Sequence, residues 1–124
     1  MSQFIVHSIP GSPFGRSVMA TLEEKHASWR LAPVVPGTMR SPVHLARHPF
    51  GRVPVLEHDG FSLYETQAIL RYLDRIVPAP ALSPSDAKRL ARMDQVMMVA
   101  TLVSVPSCEI SSQRPPSRGS ISTF

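Results

Sequence analysis

Two segments constrain the fold of this chain more than any others: His48-Pro49-Phe50-Gly51-Arg52-Val53-Pro54-Val55-Leu56 and Leu63-Tyr64-Glu65-Thr66-Gln67-Ala68-Ile69. Between them, Glu57-His58-Asp59-Gly60-Phe61-Ser62 centres on an Asp-Gly pair. That dipeptide between strand-like runs is a strong short-range signal for a two-residue β-hairpin. The strands are therefore Pro54-Val55-Leu56-Glu57 and Phe61-Ser62-Leu63-Tyr64. Pro54 has no N–H to give a ladder, so it belongs at an edge or at the start of a strand. Thr66 then opens a helix to about Val77, with Ile69, Leu70, Leu73, Ile76 and Val77 on its buried side. Strand start, tight turn and helix start make one compact unit.

The rest of the chain builds around it. Phe4-Ile5-Val6-His7 reads as a first strand. Ser12 precedes Pro13 as a helix cap precedes a first-turn proline, so a helix is expected from about Phe14 to His26. Val18, Met19 and Leu22 form its apolar stripe. Trp29 to Val34 reads as a second strand, Pro36-Gly37 as a break, and Arg40 to Arg47 as a short helix. The order is strand, helix, strand, helix, strand, strand, helix. It matches the thioredoxin-like α/β fold (βαβαββα), in which helices cover both faces of a mixed sheet. Residues 1–78 are this domain, and 79–84 are a linker by their Pro/Ala composition. Residues 85–103 are a helix capped by Ser83 or Ser85. The Ser/Pro/Arg-rich run 104–124 reads as a disordered, aberrant tail.

Composition excludes several functions. The 124 residues give room for one domain, and 43% apolar content supports a packed core. No apolar run nears the roughly 20 residues of a membrane span. Met1-Ser2-Gln3-Phe4 lacks the basic start of a signal peptide, so a cytoplasmic address is expected. The net charge is +4 and the pI about 10.0. The arginines alternate with acids, as in Arg71-Tyr72-Leu73-Asp74-Arg75, which marks a solvated helix face and not a nucleic-acid platform. Cys108 is the single cysteine, so a Cys-x-x-Cys redox pair is absent. No His/Cys group has zinc-ligand spacing, and no metal is expected. His44, His48 and His58 read as solvated side chains. Met93, Met97 and Met98 read as packing residues of the last helix.

With Pro49-Phe50-Gly51, Val53-Pro54 and Glu65-Thr66 in this order, the chain resembles the N-terminal, glutathione-binding half of the cytosolic glutathione S-transferases, of phi/theta-like bacterial type, from about Phe4 to Val99. Leu90-Ala91-Arg92-Met93-Asp94-Gln95-Val96 looks like the first helix of that family's all-α second domain, the remainder of which is missing by this reading. The resemblance implies a cis Val53-Pro54 bond, with the backbone of Val53 pairing with glutathione. It implies that Thr66 takes the γ-glutamyl carboxylate, Glu65 the γ-glutamyl amino group, and Arg52 a position beside the tripeptide. Arg40 is placed to reach the glycyl carboxylate. Alignment on Arg16-Ser17-Val18-Met19 puts Ser12 at the catalytic serine, which donates a hydrogen bond to the glutathione thiolate; Ser8 is its rival. Each position also has a plain structural reading: Ser12 and Thr66 as helix caps, Pro54 as an edge proline, Arg40 as a surface charge.

The function implied is attack of glutathione thiolate, as co-substrate, on a small electrophile, with neither nucleic acid nor membrane as partner; the resemblance implies a homodimer built through both domains, so poor dimerisation is expected of this chain. Isomerase or dehalogenase chemistry fits the same fold. The alternative is a non-catalytic transferase-like interaction module or an inactive truncated fragment. A glutaredoxin-like oxidoreductase is set aside, since position 12 is serine.

Overall fold

The structure is a computed structural model and describes residues 3–104. Cys108 and nearly all of the run read as a disordered tail lie outside the described residues. The chain divides into two units, at Pro84/Ser85.

The first unit is a four-stranded sheet with three helices: β1 (Phe4–Ser8), α1 (Pro13–Glu24), β2 (Trp29–Pro33), α2 (Pro42–Arg47), β3 (Val55–His58), β4 (Phe61–Tyr64) and α3 (Thr66–Ile76). The strand order is β2-β1-β3-β4. β1 and β2 run parallel, joined through α1, and the other two pairings are antiparallel. This is the thioredoxin-like mixed sheet expected from the element order. The hairpin turn is as its dipeptide predicts: Asp59 and Gly60 both have positive φ, 50° and 81°, which a two-residue primed turn requires.

Alternation along the strands sorts the faces. Phe4, Val6 and Leu56 join Val18 and Leu22 of α1 and Ile69 and Leu73 of α3 in one core. Each is 4% exposed or less, so this seven-residue cluster supplies most of the hydrophobic stabilisation. His58 belongs to the same face. Its ring stacks on Phe4 with centroids 4.1 Å apart, and its Nδ1 is 2.8 Å from the Tyr72 hydroxyl. His58 is thus a buried partner of the core and not the solvated residue expected. On the opposite face, His7 Nε2 lies 3.2 Å from Glu57 Oε2, and Arg47 of α2 approaches the same carboxylate.

Several boundaries differ from expectation, each for a local reason. α1 stops at Glu24 and not His26, because His26 adopts φ 50° and the chain reverses into β2. α2 begins at Pro42, after Ser41 accepts from the His44 N–H, so Arg40 lies outside it. β2 ends at Pro33, although the Val34 N–H still bonds the Ser8 carbonyl at 3.0 Å.

Lys25, at the end of α1, is the buried charge the sequence conceals. Its side chain is fully buried, and Nζ lies 2.7 Å from Asp74 Oδ1. The ammonium also donates to the carbonyls of Val77 at 2.6 Å and Pro80 at 2.8 Å. Asp74 in turn accepts from the N–H groups of Leu82 and Ser83. Three donors thus fasten residues 77–83 to the ends of α1 and α3. Burial alone would raise the Asp74 carboxyl. The hydrogen bonds from Lys25, Ser83 and Leu82, with the Lys25 charge, outweigh it and hold the carboxyl well below the usual carboxylate range.

In the second unit, α4 spans Ala87–Ser104. Its cap is Asp86, whose carboxylate accepts from the Arg89 N–H at 2.9 Å, and not Ser83 or Ser85. The helix continues through Ser104, one residue beyond its expected end. Met93 and Met97 are half-buried, whereas Met98 is exposed, so the three methionines do not form a single packing stripe.

Replacing Lys25 by Ala should destabilise the fold by about 2–4 kcal/mol, since it leaves a carboxylate that is only 13% exposed without its cation; urea unfolding reads this. For Asp74 the folded state binds the proton more weakly than the unfolded state. Stability from this pair should therefore be complete above the ordinary aspartate pKa and fall as pH drops through the lower folded value. Acid unfolding of an Asp74→Asn variant should lack that component.

Candidate functional site

Strand register brings the candidate residues to one end of the sheet. His7 pairs with Val55, and Val55 pairs with Tyr64. The segment leaving β1, the segment entering β3 and the segment leaving β4 therefore emerge side by side. These carry Ser12, Arg52-Val53-Pro54 and Glu65-Thr66 respectively. A fold with no sequence contact among the three segments collects them at one edge.

The segment entering β3 is held from α2 by two histidines. His44 Nε2 lies 2.7 Å from the Arg52 carbonyl; a carbonyl only accepts, so that nitrogen carries the proton. His48 Nδ1 accepts from the Phe50 N–H at 3.2 Å, and its carbonyl accepts from Gly51. His44 is 3% and His48 2% exposed, which corrects the expectation that they are solvated. His44 lies in α2 and His48 is its C-cap, whose N–H bonds the His44 carbonyl; the spacing of four residues about one helix end is the signal that could have revealed them. Gly51 has φ +65°, and a Cβ there would sit 2.9 Å from the Met39 carbonyl and 3.3 Å from Arg40 Cδ. The loop therefore requires glycine. It delivers Val53-Pro54, whose peptide bond is cis. Pro54 is buried, Arg52 and Val53 are half-buried, and Arg40 is exposed with its side chain running beside Gly51.

Glu65 precedes α3 with φ 75° and ψ 116°. That region is sparsely populated for a residue with a Cβ and costs on the order of 1–3 kcal/mol. Its carboxylate does not cap the helix and remains 58% exposed. The first N–H groups of α3, beginning at Thr66, thus lack a side-chain cap, although helix N-termini normally recruit one. Glu65 Oε1 instead lies 3.9 Å from His48 Nε2. Burial lowers the His48 pKa; Glu65 opposes the shift, and His44 and Arg52 reinforce it.

Ser12 and Ser8 separate cleanly. Ser8 is fully buried, its Oγ donates to the Ile9 carbonyl, and a Cβ on Gly15 would overlap that Oγ. Ser12 is half-buried at the start of α1, where its Oγ accepts from the Gly15 N–H at 3.4 Å. Its O–H remains available to donate. Among the described residues, no group of three or more His, Cys, Asp or Glu side chains is arranged to hold a metal ion, and no helix is long and apolar enough to cross a membrane.

A thioredoxin-like domain with these three segments at one edge is the N-terminal architecture of a transferase family. The model for the N-terminal domain of glutathione S-transferases matches residues 6–81. The chain belongs to the glutathione S-transferase family. Glutathione S-transferase 4 of Zea mays is 35% identical over 102 residues, covering 81% of this chain and 43% of that protein. Maleylacetoacetate isomerase of Pseudomonas aeruginosa is 47% identical over 57 residues, covering 45% of this chain and 27% of that protein. A glutathione transferase homologue from Sulfitobacter, solved with bound glutathione, superposes with a TM-score of 0.75 at 31% identity, over 82% of this chain and 50% of that chain. The theta class glutathione S-transferase of Xanthomonas axonopodis pv. citri, also with glutathione bound, gives 0.73 at 28%, over 82% of this chain and 49% of that one. The chain thus spans half or less of the length of these relatives.

Gly51→Ala should destabilise the fold by about 1–3 kcal/mol, because the left-handed φ and the Met39 carbonyl both reject a Cβ. Glu65→Gly should do the reverse and raise stability by about 1 kcal/mol through relief of the backbone. Thermal melts of the two variants check the opposite signs.

Proposed function

We propose that this chain carries the glutathione-binding half of a transferase that activates the thiol of glutathione for attack on a small electrophile. The observation that carries the reading is the head of α3. Its amides lack a cap, and the residue before them holds a costly conformation that keeps its carboxylate out of the helix. An uncapped helix N-terminus suits a carboxylate, and an exposed carboxylate beside it suits an ammonium. The γ-glutamyl end of glutathione carries both groups on one carbon. Thr66 and the first amides of α3 take its carboxylate, and Glu65 takes its amino group.

The peptide part lies along the Val53 backbone beside Arg52, as an added extended strand. The exposed Arg40 reaches the glycyl carboxylate. Ser12 acts on the sulfur: its hydroxyl oxygen accepts from Gly15 while its O–H donates to the thiolate. With the α1 N-terminus nearby, this lowers the thiol pKa and raises the thiolate fraction at neutral pH. The thiolate forms a bond to an electrophilic carbon, and the leaving group departs with its bonding pair. The relatives' half-length match makes the electrophile, and turnover itself, part of the proposal.

The test is a thermal melt of the 124-residue chain with and without glutathione. At a hundredfold excess over Kd, binding to the native state adds about 2.7 kcal/mol, a readily measured rise in the transition. Thr66→Ala should weaken binding roughly tenfold by loss of a charge-assisted hydrogen bond. Ser12→Ala should leave affinity nearly unchanged and raise the bound thiol's pKa, read by thiolate absorbance against pH. A melt that ignores glutathione would instead favour a non-catalytic interaction module on the same fold.

A further inference from the structure

We infer that His48 is a proton-linked positioning residue of this site: its neutral form both holds the loop that carries Val53 and leaves Glu65 free for a cationic amino group, and its protonated form does neither. The inference rests on the reading of the site as one for glutathione.

The geometry assigns the proton. His48 Nδ1 accepts the Phe50 N–H, so the neutral ring bears its hydrogen on Nε2, the atom that faces Glu65 Oε1 at 3.9 Å. A second proton has only Nδ1 to occupy. There it meets the Phe50 N–H head-on, and the bond between ring and loop is lost. The same event places a full positive charge beside Glu65, where it competes with the ligand's ammonium for one carboxylate. One protonation therefore acts on two of the three segments that build the site.

The groups around the ring are few. Glu65 at the head of α3 favours the charged imidazole. His44, one turn earlier in α2, and Arg52 in the loop disfavour it. The Tyr64 ring, at the end of β4, packs on His48 with centroids 4.5 Å apart and the Phe50 ring approaches it edge-on, so water does not solvate the added charge. His44 differs in kind. Its Nε2–H is committed to the Arg52 carbonyl, while Nδ1 is buried without a hydrogen-bond partner. A proton added to His44 Nδ1 breaks no existing hydrogen bond.

The sign follows by linkage. A ligand ammonium at Glu65 offsets the one charge that stabilises the imidazolium, to which only the hydrogen bond of His48's own backbone adds, so binding lowers the His48 pKa further and expels its proton. The His48 contribution to glutathione affinity should be flat at neutral pH and weaken as pH falls, by no more than about tenfold per pH unit for one proton. The experiment is calorimetric titration of the chain with glutathione between about pH 5 and about pH 7.5, the range in which a histidine changes charge. Wild type is compared with His48→Asn, whose amide oxygen can still accept the Phe50 N–H. Circular dichroism confirms a constant folded state across the range.

The expected result is a wild-type acid limb with up to one proton released per ligand, measured from the dependence of binding heat on buffer ionisation. His48→Asn should bind without that limb, and His44→Asn should keep it. Ionisations of glutathione itself are common to all three proteins and cancel in their ratios. If His48→Asn fails to fold, proton release by wild type on binding S-methylglutathione, which has no thiol to ionise, still decides: affinity that is flat in pH with no proton released overturns the inference. An acid limb that survives in His48→Asn also overturns it. Absence of binding at every pH overturns the glutathione reading itself, and this inference with it.

Discussion

β3 hydrogen-bonds on both sides at once, and the other parts of the first unit take their places from that constraint. With Leu56 opposite Val6 on one flank and Leu63 on the other, a shift of one residue would turn Leu56 out of the core and Glu57 into it. The register is therefore fixed by burial. Because it is fixed, Pro54 and Glu65 leave the hairpin together, and the turn after β1 emerges beside them. The site is a consequence of the ladder: its residues are neighbours because the strands that carry them end at the same level.

The polar groups buried around this frame share a logic. Lys25, His44, His48 and His58 each use side-chain nitrogen to hold backbone or side-chain groups that strands and helices leave over. Lys25 holds the stretch after α3, His44 and His48 hold the loop before β3, and His58 holds Tyr72 under the core. A buried donor that is fully used specifies a unique arrangement, and one left unused is costly. The loop to Val53 lacks regular secondary structure, so its position depends on these side chains far more than on hydrophobic packing.

At the head of α3 the usual order is reversed. Most helices begin with a residue that satisfies the first amides, and Glu65 instead adopts a costly backbone conformation and points its carboxylate elsewhere. Local rules that fail at one position in an otherwise consistent fold mark functional sites. The same head of helix is where the family resemblance, the sheet register and the His48 contact converge.

The sequence by itself determined the element order, the primed turn at Asp59-Gly60, the cap at Ser12, the apolar faces of α1 and α3, and the family. These depend on local chemistry or on periodicity, which a chain carries in its own order. It also placed Ser12, Val53, Pro54, Glu65 and Thr66 in the segments that meet at the sheet edge. Tertiary structure alone decided which serine is available, because Ser8 is sealed by Gly15 from a helix seven residues away. It alone decided that His44, His48 and His58 are buried, that Asp86 caps α4, and that Lys25 pairs with Asp74 across 49 positions of sequence. Such partners are chosen by where the backbone returns in space, and a linear pattern of polar residues contains no record of that return.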